Sequence, residues 1–379
     1  MRILIATVTA GAGHLQAAAA LEEAWRAGWP DDTVERVDVL DFVSKFSKKL
    51  YSEGYVKVIE RAPEVYGMLF RKTDDAPLMR RLTRVRRTFA GRANSKFIKH
   101  LKAFRPDAVL CTHFLPPEII GSVKAKSPEF RPLTACVVTD FEAHAIWMEA
   151  GVDVYFVATE ETRARLLARG AKAHDVHATG IPVAAKFSGR PDARAVRKQF
   201  GLRDDLPTLL VLSGGFGMGP VAEILGEIDK LTQAVQTLVV AGRNEKLKRD
   251  LAAVSRRQPT HVLGFVTNMQ DLMAVSDLIV TKPGGLTTSE ALAMGKPLFI
   301  LNPIPGQEAA NSDFLLQHGA AEKANRVEDL PFRLGQLLGS RKLATMSKAA
   351  KALGRPQAAA AVCNEVVRRL HASRTVAAK

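Results

Sequence analysis

Residues 281–311 read TKPGGLTTSEALAMGKPLFILNPIPGQEAAN, and the fold is decided in this stretch. An apolar strand, Asp277 to Val280, enters a Pro-Gly-Gly turn, and a helix follows with Glu290 in its first turns. A second strand, Pro297 to Leu301, comes next, and Gln307 opens another helix. Gly284 and Gly285 allow a close backbone approach that side chains forbid, so a ligand can sit against the turn. Thr287 and Thr288 lie at a helix N-terminus, where free N–H groups and the helix dipole favour a phosphate. Glu290, about a turn further in, can accept two hydrogen bonds from a vicinal diol, as an acidic residue does for a ribose. Gln307 and Glu308, after the Pro305-Gly306 turn, repeat that chemistry one αβ unit later, where a sugar on the phosphate would lie. Taken singly, a Gly-Gly turn is an ordinary connection and a helical Glu an ordinary solvated residue; their joint spacing points to a nucleotide-sugar.

The pattern K-P-G-G-x-T-x-x-E-A-x-A-x-G-x-P followed by P-G-Q-E-x-x-N fixes well over ten positions in about thirty residues. It resembles the donor-site signature of the glycosyltransferase family of monogalactosyldiacylglycerol synthases and processive diacylglycerol glucosyltransferases, with the lipid II-forming glycosyltransferase as a more distant relative. The resemblance covers most of the chain. It implies an α/β protein with two Rossmann-like domains facing a cleft, the GT-B fold, and an inverting, metal-independent transfer.

The rest of the chain agrees with two α/β halves. Residues 2–7 form an apolar strand, TAGAGH leads into the Ala-rich helix His14 to Ala27, and a second strand runs from Thr33 to Leu40. Strands are expected at Asp107 to Cys111, Leu133 to Thr139 and Val152 to Ala158, and Val176 to Val183 ends the alternation. A polar, basic run from Ser188 to Arg203 reads as the connection. Leu209 to Ser213 then feeds Gly214-Gly215-Phe216-Gly217-Met218-Gly219, a loop able to bring several N–H groups to a diphosphate. It lacks the Lys-Ser/Thr ending of a P-loop, and no acidic ribose ligand is clearly placed on the next strand, so NTPase and dinucleotide oxidoreductase readings are poor. Strands at Thr237 to Ala241 and Val262 to Val266 and a helix at Asn268 to Val275 complete the approach to residue 281, and a helical segment runs from Leu330 to the end. The domains expected are residues 1–188, residues 189–353, and a C-terminal helix and tail, 354–379.

Bulk properties narrow the class. The chain has 379 residues, 47% hydrophobic and 25% charged, as in a globular protein with a substantial core. Cys111, Cys136 and Cys363 have no metal-like spacing and read as reduced, buried thiols. MRILIAT enters a strand without a signal-peptide pattern, and no run approaches the ~18 apolar residues of a membrane span, so a cytoplasmic-face, peripheral location is expected.

The formal charge of +15 calls for an anionic partner. Between Arg71 and Arg105 twelve Lys or Arg face only Asp74 and Asp75, a local net of +10. Residues 42–105 mix these bases with Phe42, Phe46, Tyr51, Tyr55, Tyr66 and Phe70. After Pro77, apolar Leu78, Leu82, Val85 and Phe89 share a helical face with cations at 80, 81, 84, 86 and 87 around it. Such a helix can lie in a membrane interface. In the resembled family this region meets lipid and acceptor. Nucleic acid would also explain the charge, but no recognised binding motif accompanies it, and none is expected as a partner.

Two residues are candidates for the base that takes the acceptor proton. His14 ends the first loop, where helix capping is the plain alternative; it matches the resembled family's first-loop histidine, for which orienting the acceptor or touching the donor phosphate are the other roles. Asp140, in V-V-T-D-F-x-x-H-x-x-W with His144 and Trp147, follows a strand's carboxyl end, where an Asp ordinarily caps the next helix. No Asp-x-Asp is present to hold a divalent cation on a diphosphate, so no cofactor or metal is expected; helix dipoles, backbone N–H groups and Lys282 would neutralise the leaving group. The overall expectation is transfer of a hexose from UDP-glucose or UDP-galactose to diacylglycerol at an anionic membrane surface, with or without further sugars added. Uracil would lie by the backbone of Phe265 and Val266, ribose on Glu290, diphosphate on the 213–219 loop (Ser213 included) and the 284–288 helix start, and hexose on Gln307 and Glu308. A UDP-sugar 2-epimerase of the same architecture, or another lipid acceptor, is the alternative.

Overall fold

The computed structural model describes residues 1–9, 11–44, 48, 63–74, 95–213, 219–301 and 303–377. The contacts divide the chain into two compact units: Met1–Ala185 with Pro305–Gln307 and Arg355–Lys379, and Lys186–Ile304 with Glu308–Gly354.

The first unit is a parallel sheet of β1 (Arg2–Thr7), β2 (Thr33–Asp38), β3 (Ala108–Cys111), β4 (Leu133–Val137), β5 (Val154–Val157) and β6 (Val176–Ala178), in the order β2-β1-β3-β4-β5-β6. Its helices are α1 (Ala12–Gly28), α2 (Pro63–Thr73), α3 (Ser95–Phe104), α4 (Leu115–Lys126) and α5 (Glu160–Ala168). Helices cover both faces, so the inner strands are apolar on both sides; AVLC of β3 and VYFV of β5 are buried throughout. β1 carries Ile3 and Ile5 into a core with Leu21 and Trp25 of α1. Its alternate residues Leu4 and Ala6 pack with Phe97 and Leu101 of α3.

The second unit repeats the plan. β7 (Thr208–Leu212), β8 (Gln236–Val240), β9 (Thr260–Leu263), β10 (Leu278–Thr281), β11 (Leu298–Leu301) and β12 (Ala321–Ala324) form a parallel sheet ordered β12-β11-β10-β7-β8-β9. Around it lie α6 (Ala193–Gln199), α7 (Val221–Asp229), α8 (Glu245–Ala252), α9 (Met269–Val275), α10 (Gly285–Ala293), α11 (Gln307–Gln317), α12 (Leu330–Leu338) and α13 (Lys342–Leu353). Its core joins Leu209, Val211, Phe299 and Leu301 of the strands to Leu225, Ile228 and Leu334 of the helices.

α14 (Ala358–Ala377) returns to the first unit, where Val362, Val366 and Leu370 join the core of α1 and β1. Burying three such side chains contributes roughly 1.5–3 kcal/mol each. Gly180 sits beneath its entry: φ is +92°, and a Cβ there would lie 2.5 Å from Arg355 Cβ.

Several boundaries differ from the sequence expectation for local reasons. β2 stops at Asp38 because the Asp38 carboxylate accepts the Leu40 N–H at 2.9 Å and starts a 3-10 turn, Val39–Phe42. β9 ends at Leu263, so Phe265 and Val266 lie beyond it in the following connection. The expected C-terminal helical segment is three helices, interrupted at Ser340 and Gly354, where Gly354 packs so closely that a Cβ would lie 2.3 Å from Leu292 O. The amphipathic helix expected after Pro77 and the loop residues Gly214, Gly215, Phe216 and Gly217 lie outside the described residues.

Candidate functional sites in the two units

In each sheet the strand order reverses beside the unit's first strand, between β1 and β3 and between β7 and β10. Crevices outside the carboxyl ends of strands at such reversals are where open α/β sheets bind ligands. The segments carrying Thr112, Ser213 and Lys282 leave strands at these points, and His14, expected at the end of the first loop, lies in the first turn of α1 after β1.

In the first unit a cavity of about 310 Å³ is lined by His14, Asp140, His113 and His144 together with Phe70, Phe114, Ile146 and Trp147. The two base candidates therefore share one pocket, although 126 positions of chain separate them. His14 Nδ1 lies 2.8 Å from Thr112 O and 2.9 Å from Thr139 Oγ1. A carbonyl oxygen only accepts, so Nδ1 carries the proton and Nε2 holds the lone pair. No hydrogen bond to Nε2 forms among the described residues. Burial pushes the His14 pKa down to about 4, against the opposing pull of the Thr112 carbonyl. The imidazole is thus neutral near pH 7 in the tautomer a base requires. Thr112 Oγ1 donates to His14 O at 3.0 Å, fixing the backbone as well. His113 packs edge-on to His14 at 4.8 Å between ring centroids and takes the Leu115 N–H on its own Nδ1 at 3.1 Å.

Asp140 stands two residues beyond β4's neighbour Val138, partly exposed in the pocket wall. Next to it, His144 caps the 3-10 turn Ala145–Trp147 by accepting the Ile146 N–H at 3.0 Å. Gln307, in the short segment that belongs to this unit, accepts from Tyr66 Oη at 2.9 Å and also lines the pocket.

In the second unit Asn311 Nδ2 donates to Pro283 O at 2.9 Å, tying α11 to the turn before α10. The first intrahelical bond runs from Thr288 N to Gly284 O at 2.9 Å. The free N–H groups are then those of Gly285, Leu286 and Thr287. Thr288 is fully buried and its hydroxyl has no partner among the described residues, so this side chain packs inward. Ser213 Oγ donates to Val240 O at 2.8 Å at the mouth of β7. The loop from Ser213 ends beside Lys282, since a Cβ on Gly219 would lie 3.8 Å from Lys282 Cε.

Glu290 is partly buried, and burial raises its pKa to about 7 although Lys186 draws it down. Lys186, whose Nζ donates to Thr267 O at 2.6 Å, is a residue the sequence did not single out. The Glu308 carboxyl is also raised by burial, opposed by the Ile304 N–H that it accepts at 2.8 Å and by Lys282. Glu308 Oε2 thus closes the turn before α11. The Phe265 ring is 54% exposed with the Arg243 guanidinium 4.9 Å from its centroid, and Val266 beside it is partly buried. Arg243 was not legible in sequence, because nothing in its spacing ties it to Phe265.

Comparison with known proteins identifies the family. Residues 14–183 match the monogalactosyldiacylglycerol (MGDG) synthase family, and residues 208–362 match the glycosyltransferase family 28 C-terminal domain. A processive diacylglycerol beta-glucosyltransferase of Bacillus subtilis is 30% identical over 335 residues, 87% of this chain and 85% of that protein. One from Bacillus pumilus is 29% identical over 372 residues, 97% of this chain and 94% of the relative. Among solved structures, Acinetobacter baumannii MurG superposes with a TM-score of 0.60 at 16% identity, covering 97% of this chain and 99% of its own. Anabaena Alr3699/HepE, solved with UDP-glucose, gives 0.54 at 13% identity over 98% of this chain and 100% of its own. At those identities the structural likeness establishes the fold, the two-domain architecture of GT-B glycosyltransferases. With both halves matched in order and a 30% identical relative over most of its length, the chain belongs to the glycosyltransferase family of MGDG synthases and processive diacylglycerol glucosyltransferases.

Proposed function

We propose that this protein transfers a hexose from a UDP-sugar to the free hydroxyl of diacylglycerol, with inversion at the anomeric carbon. Family membership supports the reaction class, and the observation that carries the chemistry is the His14 tautomer: Nδ1–H held by the Thr112 carbonyl, Nε2 left as acceptor in an apolar-walled pocket. The acceptor oxygen forms the new bond to the anomeric carbon as the bond to the diphosphate breaks. The hydroxyl proton passes to His14 Nε2, and UDP leaves with the electron pair. Asp140, in the same pocket, orients that hydroxyl or takes the proton in place of His14.

The donor is assigned to the second unit: diphosphate on the N–H groups of 285–287 and on Lys282, ribose on Glu290, uracil beside Phe265. Hexose contacts are assigned to Glu308 and Gln307. Lys282 and the helix dipole neutralise the leaving group, so transfer is expected without a metal ion. Chelation with EDTA should leave the rate unchanged, and restoration by added divalent cation after a loss would overturn that part.

The acceptor is met at a membrane surface. Among the described residues no helix is long and apolar enough to cross a bilayer. α2 instead exposes Val65, Met68 and Leu69 at 48%, 42% and 49%, beside Arg71 and Lys72. An apolar face with flanking cations fits the interface of an anionic, cytoplasmic-face leaflet. Incubating the protein with UDP-[14C]hexose and diacylglycerol vesicles, then extracting lipid, tests the proposal. Label in a glycolipid supports it; hexose consumption without lipid product would favour a 2-epimerase.

A further inference from the structure

We propose that Arg169 is a positioning residue for the transfer: by bridging Asp74 to the Ala143 carbonyl it clamps α2 onto the loop from Asp140 to Trp147, and so fixes the wall of the His14 pocket. The inference rests on reading that pocket as the acceptor's and adds the group that holds it in shape.

The need for a clamp follows from how α2 is buried. Its large apolar residues Val65, Met68 and Leu69 are exposed, so burial of that face does not hold the helix down. Yet Leu69, Phe70 and Thr73 of the same helix line the pocket. On the helix's other side Tyr66 donates to Gln307, and Gly67 and Phe70 pack against Pro305 and Gly306; the remaining polar contacts gather at its C-terminal end, where the pocket wall is.

Arg169, the C-terminal cap of α5, donates from Nη2 to Asp74 Oδ2 at 2.6 Å and from Nη1 to the carbonyl of Ala143. The second Asp74 oxygen accepts the Ala145 N–H at 2.8 Å. His144 completes the joint. Its Nδ1 accepts the Ile146 N–H, and its Nε2 lies 2.8 Å from Phe70 O, which only accepts, so Nε2 carries the proton. The two rings stack obliquely at 4.3 Å between centroids. Loop and helix are therefore joined at three points, and Arg169 supplies the charge that keeps the mostly buried Asp74 carboxylate in place. The side chains of the pair are 15% and 21% exposed, so removing one partner leaves the other charge uncompensated. Arg169 itself does not line the pocket. Its effect reaches the acceptor through the two elements it joins, α2 and the loop that carries Asp140.

The test compares Arg169→Gln, Asp74→Asn, their double variant and Arg169→Lys with the unsubstituted protein, using diacylglycerol vesicles and UDP-hexose. Measured are kcat and KM for each substrate and the Kd of UDP by calorimetry. Arg169→Gln should lower kcat/KM for the lipid roughly 10- to 100-fold, the cost of misplaced reactants. Donor KM and UDP Kd should stay within about twofold, since neither substituted residue belongs to the UDP-binding unit. The double variant should be no worse than either single one, because both break the same clamp, and Arg169→Lys should recover part of the loss. Unchanged lipid transfer in Arg169→Gln would overturn the clamp, as would a parallel loss of UDP affinity or multiplied losses in the double variant. Absence of glycolipid from the unsubstituted protein would overturn the acceptor reading and this inference with it, a result separable from the other three.

Discussion

At the residue scale, two side chains to which the proposal gives central roles, His14 and Glu290, both have perturbed protonation. His14 is held neutral by burial, with a pKa of about 4, well below the ordinary histidine value. If Nε2 is the base, kcat/KM should fall only as pH drops toward 4, with no inflection near the usual histidine range; an inflection near 6.5 that vanishes in His14→Ala would contradict the buried, neutral ring. The same shift has a sign for stability. The folded state refuses a proton that the unfolded chain accepts, so His14 destabilises the fold progressively as pH falls from the unfolded histidine pKa toward 4. Glu290 is shifted the other way, to about 7. Ribose hydroxyls donate to the ionised form, so UDP affinity should rise with pH through 7, and Glu290→Gln should abolish that part of the dependence. Glu290→Ala should weaken UDP binding by about 1–3 kcal/mol, read by calorimetry; unchanged affinity would remove Glu290 from the site. His14, Asp140 and Glu290 were legible in sequence because each follows a glycine-rich or strand-end signal. Arg169, Asp74, Lys186 and Arg243 were not, since their roles exist only through partners brought close by folding; Asp74 and Arg169 are 95 positions apart.

At the scale of elements, the strands were the readable part. Parallel strands covered on both faces are short apolar runs, and RILIAT, AVLC, VYFV, TLLVL and LFIL announce themselves in that way. Their ends were less readable where a side chain redirects the backbone, as Asp38 does at the end of β2. The return of α14 to the first unit was also hidden, because an Ala-rich helix has no pattern that names its partner. Gly180 marks that return and gives it a test. Gly180→Ala places a Cβ against Arg355 and forces a left-handed φ on an L-residue, so it should lower stability by about 1–3 kcal/mol, seen as a lower urea midpoint. A midpoint unchanged from the parent would show that α14 does not seat on Gly180. The apolar face of α2 is tested by Met68→Asp with Leu69→Ser. Binding to anionic vesicles in flotation assays should weaken roughly tenfold or more, while the Kd for UDP holds; undiminished flotation would assign membrane contact to other residues.

At the scale of the whole molecule, two parallel six-stranded sheets form two units, with the base candidates in one and the residues proposed for the nucleotide in the other. That division was visible in sequence because each half begins with a strand and a glycine-bearing loop. The strand order was not, since pairing partners are set by crossover packing rather than by local pattern. With a charge of +15, the proposed association with acidic vesicles should be salt-sensitive, weakening as ionic strength screens it. The measurement that tests the central claim most directly is an incubation of the purified protein with UDP-glucose and UDP-galactose, each with and without diacylglycerol in acidic vesicles, reading UDP release and lipid mass together. The predicted result is lipid-dependent UDP release with a product heavier than diacylglycerol by one or more hexose residues. UDP-sugar turnover that ignores the lipid, or no turnover with either donor, would contradict it.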